Sequence, residues 1–269
     1  MKKILIINKG KLFLFVMITL FLFSTLLFTS KAENPIKVPI ILYHNITKDP
    51  ALEGKPLLNI IPENFKIHMQ TLKDDGWNTI SFEDYQNHVE KNLPLPDKPI
   101  IITFDDGYTS NYTHAFPILK ELQMKATIFM VTGRAGESVT TEVTYPHFTW
   151  EQAREMESSG FISIESHSHL HANMFETKDI DRVQVELRRS KYLIEKNLNK
   201  ECTVFAFPFG LKTDNIRKLA LDAGYKIVCL VGDLGANSAG EDLDKLKRIT
   251  ISGDATPEQL IRTITKNLH

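Results

Sequence analysis

Four short polar clusters in the sequence hold the residue types that can do chemistry. Each cluster follows directly after an apolar segment of the kind that predicts a buried strand. The clusters are Tyr-His-Asn at 43–45, Thr-Phe-Asp-Asp-Gly at 103–107, Ser-His-Ser-His-Leu-His at 166–171 and Phe-Pro-Phe-Gly at 207–210. Because carboxylates and imidazoles bind divalent ions and transfer protons, these clusters contain the candidate functional residues.

The adjacent carboxylates Asp105 and Asp106 are the most unusual feature of these clusters. Successive side chains on a strand point to opposite faces, so both can face one pocket only where the strand ends. Two carboxylates placed together in this way repel each other unless one of them meets a cation. The alternative is a plain Asp-Asp-Gly turn, in which Asp caps the turn and Gly107 supplies a positive φ.

His167 and His171 are four residues apart, which lets two imidazoles converge on one ion if the segment is helical or tightly turned. We expect His169, which lies between them, to point elsewhere. The alternative is a solvated His-rich loop. One carboxylate with two imidazoles makes a three-ligand site with an open position for water, and the second carboxylate can then act as a general base. The combination predicts a metal-dependent hydrolase.

Seven apolar segments, with a weak eighth, alternate with amphipathic helix patterns and predict the elements that position these clusters. The strand segments are 38–43, 77–80, 100–104, 126–131, 161–164, 203–207 and 226–231, with the weak eighth at 246–251. The helix segments are 62–74, 82–91, 112–122, 149–160, 180–198, 214–223 and 257–268. This alternation predicts the α/β class and a distorted, TIM-like (β/α)7–8 barrel in a single domain.

In such a barrel the carboxyl ends of the strands form the face that carries the active site, and all four polar clusters fall there. The stretch 133–147 shows no pattern and is predicted to be a loop that borders the site. Within it, Tyr145 and His147 can contact a substrate.

Residues 1–32 form a separate segment with a basic start, an apolar run at 12–28 and a Ser-Lys-Ala cleavage signature at 30–32. This order is typical of a secretory signal peptide. The run is longer than the usual apolar region of about 7–15 residues. It also reaches the lower limit of about 17–25 residues for a membrane span, so an uncleaved anchor is the alternative. Either case predicts an exported protein, with a catalytic domain at 33–269.

The composition excludes several classes of protein. The 269 residues are 42% hydrophobic and 24% charged, which rules out collagen-like, disordered and disulfide-scaffold chains. Residues 1–32 hold five Lys and no acid, which leaves 27 Lys and Arg against 33 Asp and Glu, a net charge of −6. An acidic domain has no general attraction for nucleic acid. Export permits a disulfide between Cys202 and Cys229, but two buried free thiols are an equal alternative.

Three motifs resemble those of the polysaccharide deacetylases, whose shared region is the NodB homology domain. They are Thr-Phe-Asp-Asp-Gly-Tyr at 103–108, His-Ser-x-x-His at 167–171 and Pro-Phe-Gly at 208–210, and the resemblance spans about 37–251. It implies a distorted (β/α) barrel that removes acetyl groups from glycans with Zn²⁺ or another divalent ion such as Co²⁺ or Ni²⁺.

The resemblance also implies residue roles. Asp105 would be the catalytic base, and the metal ligands would be Asp106, His167 and His171. A backbone N–H near Phe209 would stabilise the oxyanion.

Two departures from the family pattern are visible. Many members have an Arg before the Pro-x-Gly motif that orients the base, but this chain has Phe207, so Arg248 or Lys247 could take over that task. The late Leu-x-His motif that supplies the catalytic acid is also missing. The opening at 38–46 resembles the poly-N-acetylglucosamine deacetylase branch, in which the corresponding His, here His44, is the general acid.

We therefore expect a secreted, cell-surface or membrane-anchored hydrolase of the cell wall or biofilm, acting on carbon–nitrogen amide bonds rather than peptide bonds. Its substrate would be an N-acetylated amino-sugar polymer such as poly-N-acetylglucosamine or a peptidoglycan-like chain. The expected protein is a monomer that binds acetylated polysaccharide, binds no nucleic acid and can associate with the membrane through its N-terminal segment. The alternatives are an O-acetyl esterase on cell-wall glycans or xylan, and a non-catalytic carbohydrate-binding homologue.

Overall fold

The structure is a computed structural model that describes residues 35–48, 57–140, 144–174, 176–177, 179–210, 214–231 and 235–268. The predicted export segment at 1–32 therefore lies outside the described residues. From Lys37 onward the chain forms one compact unit. None of the helices within the described ranges has both the length and the apolar character that a membrane span requires.

The elements alternate between strands and helices along most of the chain. The strands are β1 (Lys37–Val38), β2 (Ile40–Tyr43), β3 (Asn45–Ile46), β4 (Asn59–Ile60), β5 (Asn78–Thr79), β6 (Pro99–Phe104), β7 (Ala126–Met130), β8 (Ser138–Thr140), β9 (Thr144–Pro146), β10 (Ile162–Ser166), β11 (Val204–Ala206), β12 (Ile227–Cys229), β13 (Asn237–Ser238) and β14 (Ile249–Thr250). The α-helices are α1 (Pro62–Asp74), α2 (Phe82–Lys91), α3 (Phe116–Leu122), α4 (Trp150–Ser158), α5 (Ile180–Leu198), α6 (Asp214–Asp222) and α7 (Pro257–Thr265).

The main sheet is parallel and its strands follow the order β12-β11-β10-β7-β6-β2-β14, with β5 paired to the start of β6. A parallel bridge between Cys229 and Leu246 joins the two ends of this path, because the Leu246 segment leads into β14. Two backbone hydrogen bonds support the bridge, from Leu230 N to Leu246 O at 2.8 Å and from Leu246 N to Val228 O at 2.9 Å. The strands thus close into a distorted (β/α) barrel, and the predicted fold class is confirmed, including the weak eighth strand.

Burial on both faces explains why the strand segments are continuously apolar. All six residues of β6 are buried. Ile101 packs with Ile40 and Phe129 in a cluster drawn from strands all around the ring, which is the interior of the barrel. Its neighbours Ile100 and Ile102 pack in a second cluster with residues of the surrounding helices. Alternate residues of one strand therefore build two separate cores.

Several helix boundaries follow from local signals. A capping box starts α4, since Thr149 Oγ1 accepts from Gln152 N at 3.2 Å and Gln152 Oε1 accepts from Thr149 N at 2.8 Å. The helix predicted at 112–122 is divided into a π-helical turn at Asn111–Ala115 and α3. On α5, Tyr192 is about half exposed, and the buried stripe contains Glu186.

The prediction of a patternless loop at 133–147 is wrong for its second half. A 3-10 turn at Thr132–Arg134 is followed by the antiparallel hairpin β8–β9, in which Ser138 pairs with Pro146. A two-stranded ribbon outside the main sheet lacks the apolar runs by which the barrel strands were recognised.

Cys202 and Cys229 are both buried free thiols, so the disulfide alternative is not realised. Cys202 Sγ donates to Glu165 Oε2 at 3.3 Å. Burial raises the pKa of both thiols, which makes them poor nucleophiles.

Candidate active site

The four polar clusters lie at the carboxyl ends of β2, β6, β10 and β11, on one face of the barrel. Ligand atoms of Asp106, His167 and His171 all lie within 4.8 Å of one another. Asp105 is next to this group, with its Oδ2 atom 3.8 Å from His167 Nε2. The fold therefore brings the predicted carboxylates and imidazoles together from two separate strands.

Asp106 is placed by a sharp turn after β6. Its φ is 74°, and that of Gly107 is 78°. A side chain at position 107 would also meet Met130 Cα at 3.3 Å, so glycine is required on two grounds. The turn directs Asp106 Oδ1 to 3.2 Å from His171 Nε2 and 3.6 Å from His167 Nε2.

The donor set fits a divalent metal ion. His167 Nδ1 lies 2.8 Å from Ala206 O, and since a carbonyl only accepts, Nδ1 carries the proton and Nε2 presents a lone pair. Asp106 Oδ1 is buried and has no hydrogen-bond partner among the described residues. A carboxylate oxygen and imidazole nitrogens that face one another in this way can hold a cation between them.

The protonation states agree with this arrangement. Burial lowers the pKa of His167 to about 4, so the ring is neutral near pH 7 and able to coordinate a metal. Burial alone would raise the pKa of Asp106, but the imidazoles of His171 and His167 outweigh it and hold that pKa well below its usual range. Asp106 is therefore a carboxylate at neutral pH.

Asp105 is held by Arg248 in a buried bidentate pair. Arg248 Nη1 donates to Asp105 Oδ1 at 2.6 Å, and Nη2 donates to Oδ2 at 2.8 Å. The guanidinium also lies 5.3 Å from the ring centre of Phe129 and donates from Nε to Leu230 O at 3.3 Å. Burial on its own raises the pKa of Asp105, but the charge of Arg248 outweighs it and leaves that pKa below its ordinary value.

Of the two basic residues considered for this contact, the geometry selects Arg248. Lys247 Nζ instead donates to Glu241 Oε2 at 3.1 Å. Phe207, at the position of the family's Arg, is buried in an apolar cluster with Phe205 and Tyr225.

His44 follows β2, and its charge contributes to lowering the pKa of both Asp105 and Asp106. Its Nδ1 atom is buried without a hydrogen-bond partner in the part of the chain that the structure describes. Asn111 Nδ2 donates to His44 O at 2.8 Å and fixes the backbone there. Asn111 is itself buried at the start of the π-helical turn, a position that the helix pattern of the sequence does not reveal.

Aromatic residues flank the site. The Phe209 ring is 66% exposed and meets the His171 ring edge to face, with 4.7 Å between the centroids. Tyr145 is half-buried and lies 5.5 Å from the ring of Tyr108. Burial and the neighbouring Asp106 carboxylate raise the pKa of the Tyr108 hydroxyl. His147 is buried against the Tyr108 ring at 5.2 Å.

His169 points away from the three candidate ligands, as expected. Its Nδ1 atom lies 3.1 Å from Thr132 Oγ1.

Unusual backbone conformations concentrate at this face. Among the described residues other than glycine, eight have positive φ, and four of these are Asp106, Ser168, His171 and Phe209. Such conformations cost about 1–3 kcal/mol each and persist where the surroundings enforce them, typically at functional sites.

Comparison with known proteins agrees with this geometry. The family model described as polysaccharide deacetylase matches residues 92–228. A Bacillus subtilis protein named as a polysaccharide deacetylase, YxkH, is 34% identical over 224 residues, which cover 82% of this chain and 74% of that protein. The poly-beta-1,6-N-acetyl-D-glucosamine N-deacetylase of Staphylococcus epidermidis is 26% identical over 234 residues, with 79% and 78% covered.

A solved structure also matches closely. The Streptococcus pyogenes deacetylase PplD, determined in complex with acetate, superposes with a TM-score of 0.76 at 29% identity, covering 86% of this chain and 99% of PplD. The chain belongs to the polysaccharide deacetylase family, and it is an enzyme of that class.

Proposed function

We propose that the protein is a metal-dependent N-deacetylase that removes acetyl groups from an extracellular amino-sugar polysaccharide, with poly-N-acetylglucosamine as the first candidate. The observation that carries the proposal is the triad of Asp106, His167 and His171, whose ligand atoms face one another beside a second, ionised carboxylate. A base next to a three-ligand metal site is an arrangement that can hydrolyse an acetyl group.

A divalent ion held by Asp106, His167 and His171, with zinc as the first choice, would polarise the acetyl carbonyl and lower the pKa of a water molecule. Asp105 takes the proton of that water as its oxygen attacks the carbonyl carbon. Because the pKa of Asp105 is below its ordinary value, the group is ionised at neutral pH but is a weak base. It can therefore accept a proton only from a water molecule whose own pKa has been lowered.

Arg248 keeps Asp105 ionised and fixes the direction of its carboxylate through two hydrogen bonds. A backbone N–H near Phe209 stabilises the oxyanion of the tetrahedral species. When the carbon–nitrogen bond breaks, His44 donates a proton to the leaving nitrogen, and the products are acetate and a free amine.

The aromatic rings at the rim supply contacts for the sugar. The Phe209 ring contacts the His171 ring, and the Tyr145 ring lies tilted against that of Tyr108. The exposed ring of Phe209 and the half-buried ring of Tyr145 can pack against the apolar faces of pyranose units.

The substrate assignment draws support from the relatives and from charge. The Staphylococcus epidermidis relative is named for poly-beta-1,6-N-acetyl-D-glucosamine, and the Streptococcus pyogenes structure holds acetate, the product expected here. A net charge of −6 on residues 33–269 favours a polymer that is neutral or becomes cationic as amines are released. Export by the segment at 1–32, as a signal peptide or as a membrane anchor, and a monomeric catalytic domain at 33–269 complete the proposal.

The test is acetate release from soluble β-1,6-linked N-acetylglucosamine oligomers, measured after chelation and again after zinc, cobalt or nickel is restored. The proposal predicts release that disappears with the chelator and returns with the metal. Absence of release under every metal would contradict it.

A parallel assay on O-acetylated xylan distinguishes the esterase alternative from the N-deacetylase. An alcohol leaves with less help from an acid than an amine does, so His44→Ala would then reduce ester cleavage little. Acetate release from acetylated xylan, without release from the N-acetylglucosamine oligomers, would favour the esterase over the N-deacetylase.

A further inference from the structure

Glu186 is a buried carboxylate on the core-facing side of α5 that makes no contribution to the mechanism above. Its side chain is 3% exposed and lies on the apolar stripe that contains Val183, Leu187 and Ile194. A charged residue in such a stripe is costly unless its oxygens are hydrogen-bonded, so its partners reveal what it does.

Those partners are the backbone amides of the loop between the two histidines. Glu186 Oε2 accepts from His169 N at 2.9 Å and from Leu170 N at 2.7 Å. Charge-assisted bonds from a carboxylate to backbone N–H groups are about twice as strong as neutral ones. One oxygen atom on α5 therefore fixes the two residues that immediately precede His171.

Other backbone amides of this loop are also hydrogen-bonded. His167 N donates to Met130 O at 2.9 Å, and His171 N donates to Ser168 Oγ at 3.0 Å. Both Ser168 and His171 have positive φ, at 71° and 59°. The loop thus holds a conformation that its own residues disfavour, and Glu186 supplies the charged contacts from outside the loop that help to enforce it.

Gly133 closes the opposite side of the loop. Its N–H donates to His169 O at 2.7 Å. A Cβ atom at this position would stand 2.7 Å from His169 O and 2.7 Å from Leu170 Cδ2, so any side chain would push the loop away.

We propose that Glu186 is a positioning residue that sets the metal affinity of the site by holding the 167–171 loop so that both imidazoles face Asp106. This inference rests on the proposed function, since it concerns the same metal. It differs in its readout, because metal affinity is measured without any substrate.

The experiment measures zinc affinity by chelator competition for the full chain and for Glu186→Ala and Glu186→Gln. We expect Glu186→Ala to bind zinc about 10–100-fold more weakly, as residues that orient metal ligands typically do. Glu186→Gln keeps an acceptor oxygen and should lose less. Saturating zinc should restore much of the activity of both variants, which it would not do for general damage to the fold.

Glu195→Gln is the matched control. Glu195 lies on the same helix and accepts a backbone N–H in the same way, from Cys202 at 3.1 Å, but away from the histidine loop. Its zinc affinity should stay within twofold of the unsubstituted protein.

Gly133→Ala displaces the loop from the other side and should weaken zinc binding in the same direction, which keeps the test decisive if Glu186→Ala fails to fold. Zinc affinities of Glu186→Gln and Gly133→Ala within twofold of the unsubstituted protein would overturn the inference. Tight zinc binding without acetate release would contradict the proposed function, and the zinc affinities of the variants would still decide the positioning role. No zinc binding at all would overturn both proposals.

Discussion

The two ends of the barrel both bury charged side chains, but they treat them in opposite ways. At the amino end, Lys200 Nζ donates to Glu157 Oε1 at 2.9 Å, to Ser163 Oγ at 2.9 Å and to Ile164 O at 3.1 Å, and lies 3.0 Å from Glu165 Oε1. At the carboxyl end, Asp106 Oδ1 is buried without a hydrogen-bond partner in the described part of the chain. The charged group at the amino end therefore has its hydrogen-bond partners, whereas the carboxylate oxygen at the carboxyl end lacks one.

Whether a buried charged group has its hydrogen-bond partners distinguishes these two clusters better than the size of the cavity beside them. The amino-end cluster lines a cavity of about 770 Å³, yet its ammonium group already has all the acceptors it can use. The carboxyl end presents a buried carboxylate oxygen and two imidazoles whose ligand atoms face one another, as a metal ion requires. We infer that the satisfied cluster is structural, and that the Asp106 carboxylate, which faces two imidazoles, is prepared for a ligand.

The largest expected effects come from substituting the proposed base and one of the candidate metal ligands at the carboxyl end. Asp105→Asn removes the proposed base and should reduce acetate release about 10⁴-fold, while zinc content stays near one ion per chain. His171→Ala removes a ligand and should lose the zinc itself. Activity and zinc content are measured on the same preparations, and equal zinc loss in both variants would mean that the roles of Asp105 and Asp106 are reversed.

The next effect concerns proton donation. His44→Ala should reduce deacetylation of N-acetylglucosamine oligomers about 10²-fold, because water can replace the imidazole as a proton donor only poorly. Zinc affinity should not change, since the candidate ligands are elsewhere. Acetate release at an unreduced rate would show that another group protonates the amine.

A smaller effect is expected from Arg248→Lys. Lysine keeps one positive charge next to Asp105 but cannot form the bidentate pair, so Asp105 loses its fixed direction. We expect kcat to fall about 10-fold at unchanged zinc content, and the fold to persist. Lys247→Ala, one residue earlier, is the control, and a comparable fall in its kcat would contradict the assignment.

The smallest effect on activity should come from the amino end. Lys200→Met leaves Glu157 and Glu165 without their cation and should lower the free energy of unfolding by about 1–3 kcal/mol. Urea denaturation measures this loss. The kcat of the remaining folded protein should equal that of the unsubstituted enzyme, and a reduced kcat would mean that the two ends are coupled.

The barrel could be predicted from the sequence because its strands are buried on both faces. Even the weak eighth segment pairs where expected, with Leu246 bridging Cys229 and β14 pairing with β2. The hairpin β8–β9 could not, since a short ribbon outside the main sheet has no continuous apolar run to mark it.

Within the site, local motifs identified the groups at the strand ends but not the residues that support them. The sequence left Arg248 and Lys247 as alternatives, because adjacent side chains point in opposite directions and the pattern did not reveal which one faces inward. Glu186 and Asn111 act on loops that are distant in sequence. Of these two, only Glu186 carries a readable signal, a charged residue within an apolar helix stripe.

The most direct test of the account is the zinc content of three proteins after dialysis against equal concentrations of free zinc: the unsubstituted chain, Lys200→Met and Asp106→Asn. If the incomplete charges at the carboxyl end form the metal site, the first two bind one zinc ion per chain and Asp106→Asn binds none. Zinc retained by Asp106→Asn, or lost by Lys200→Met while it remains folded, would contradict the account.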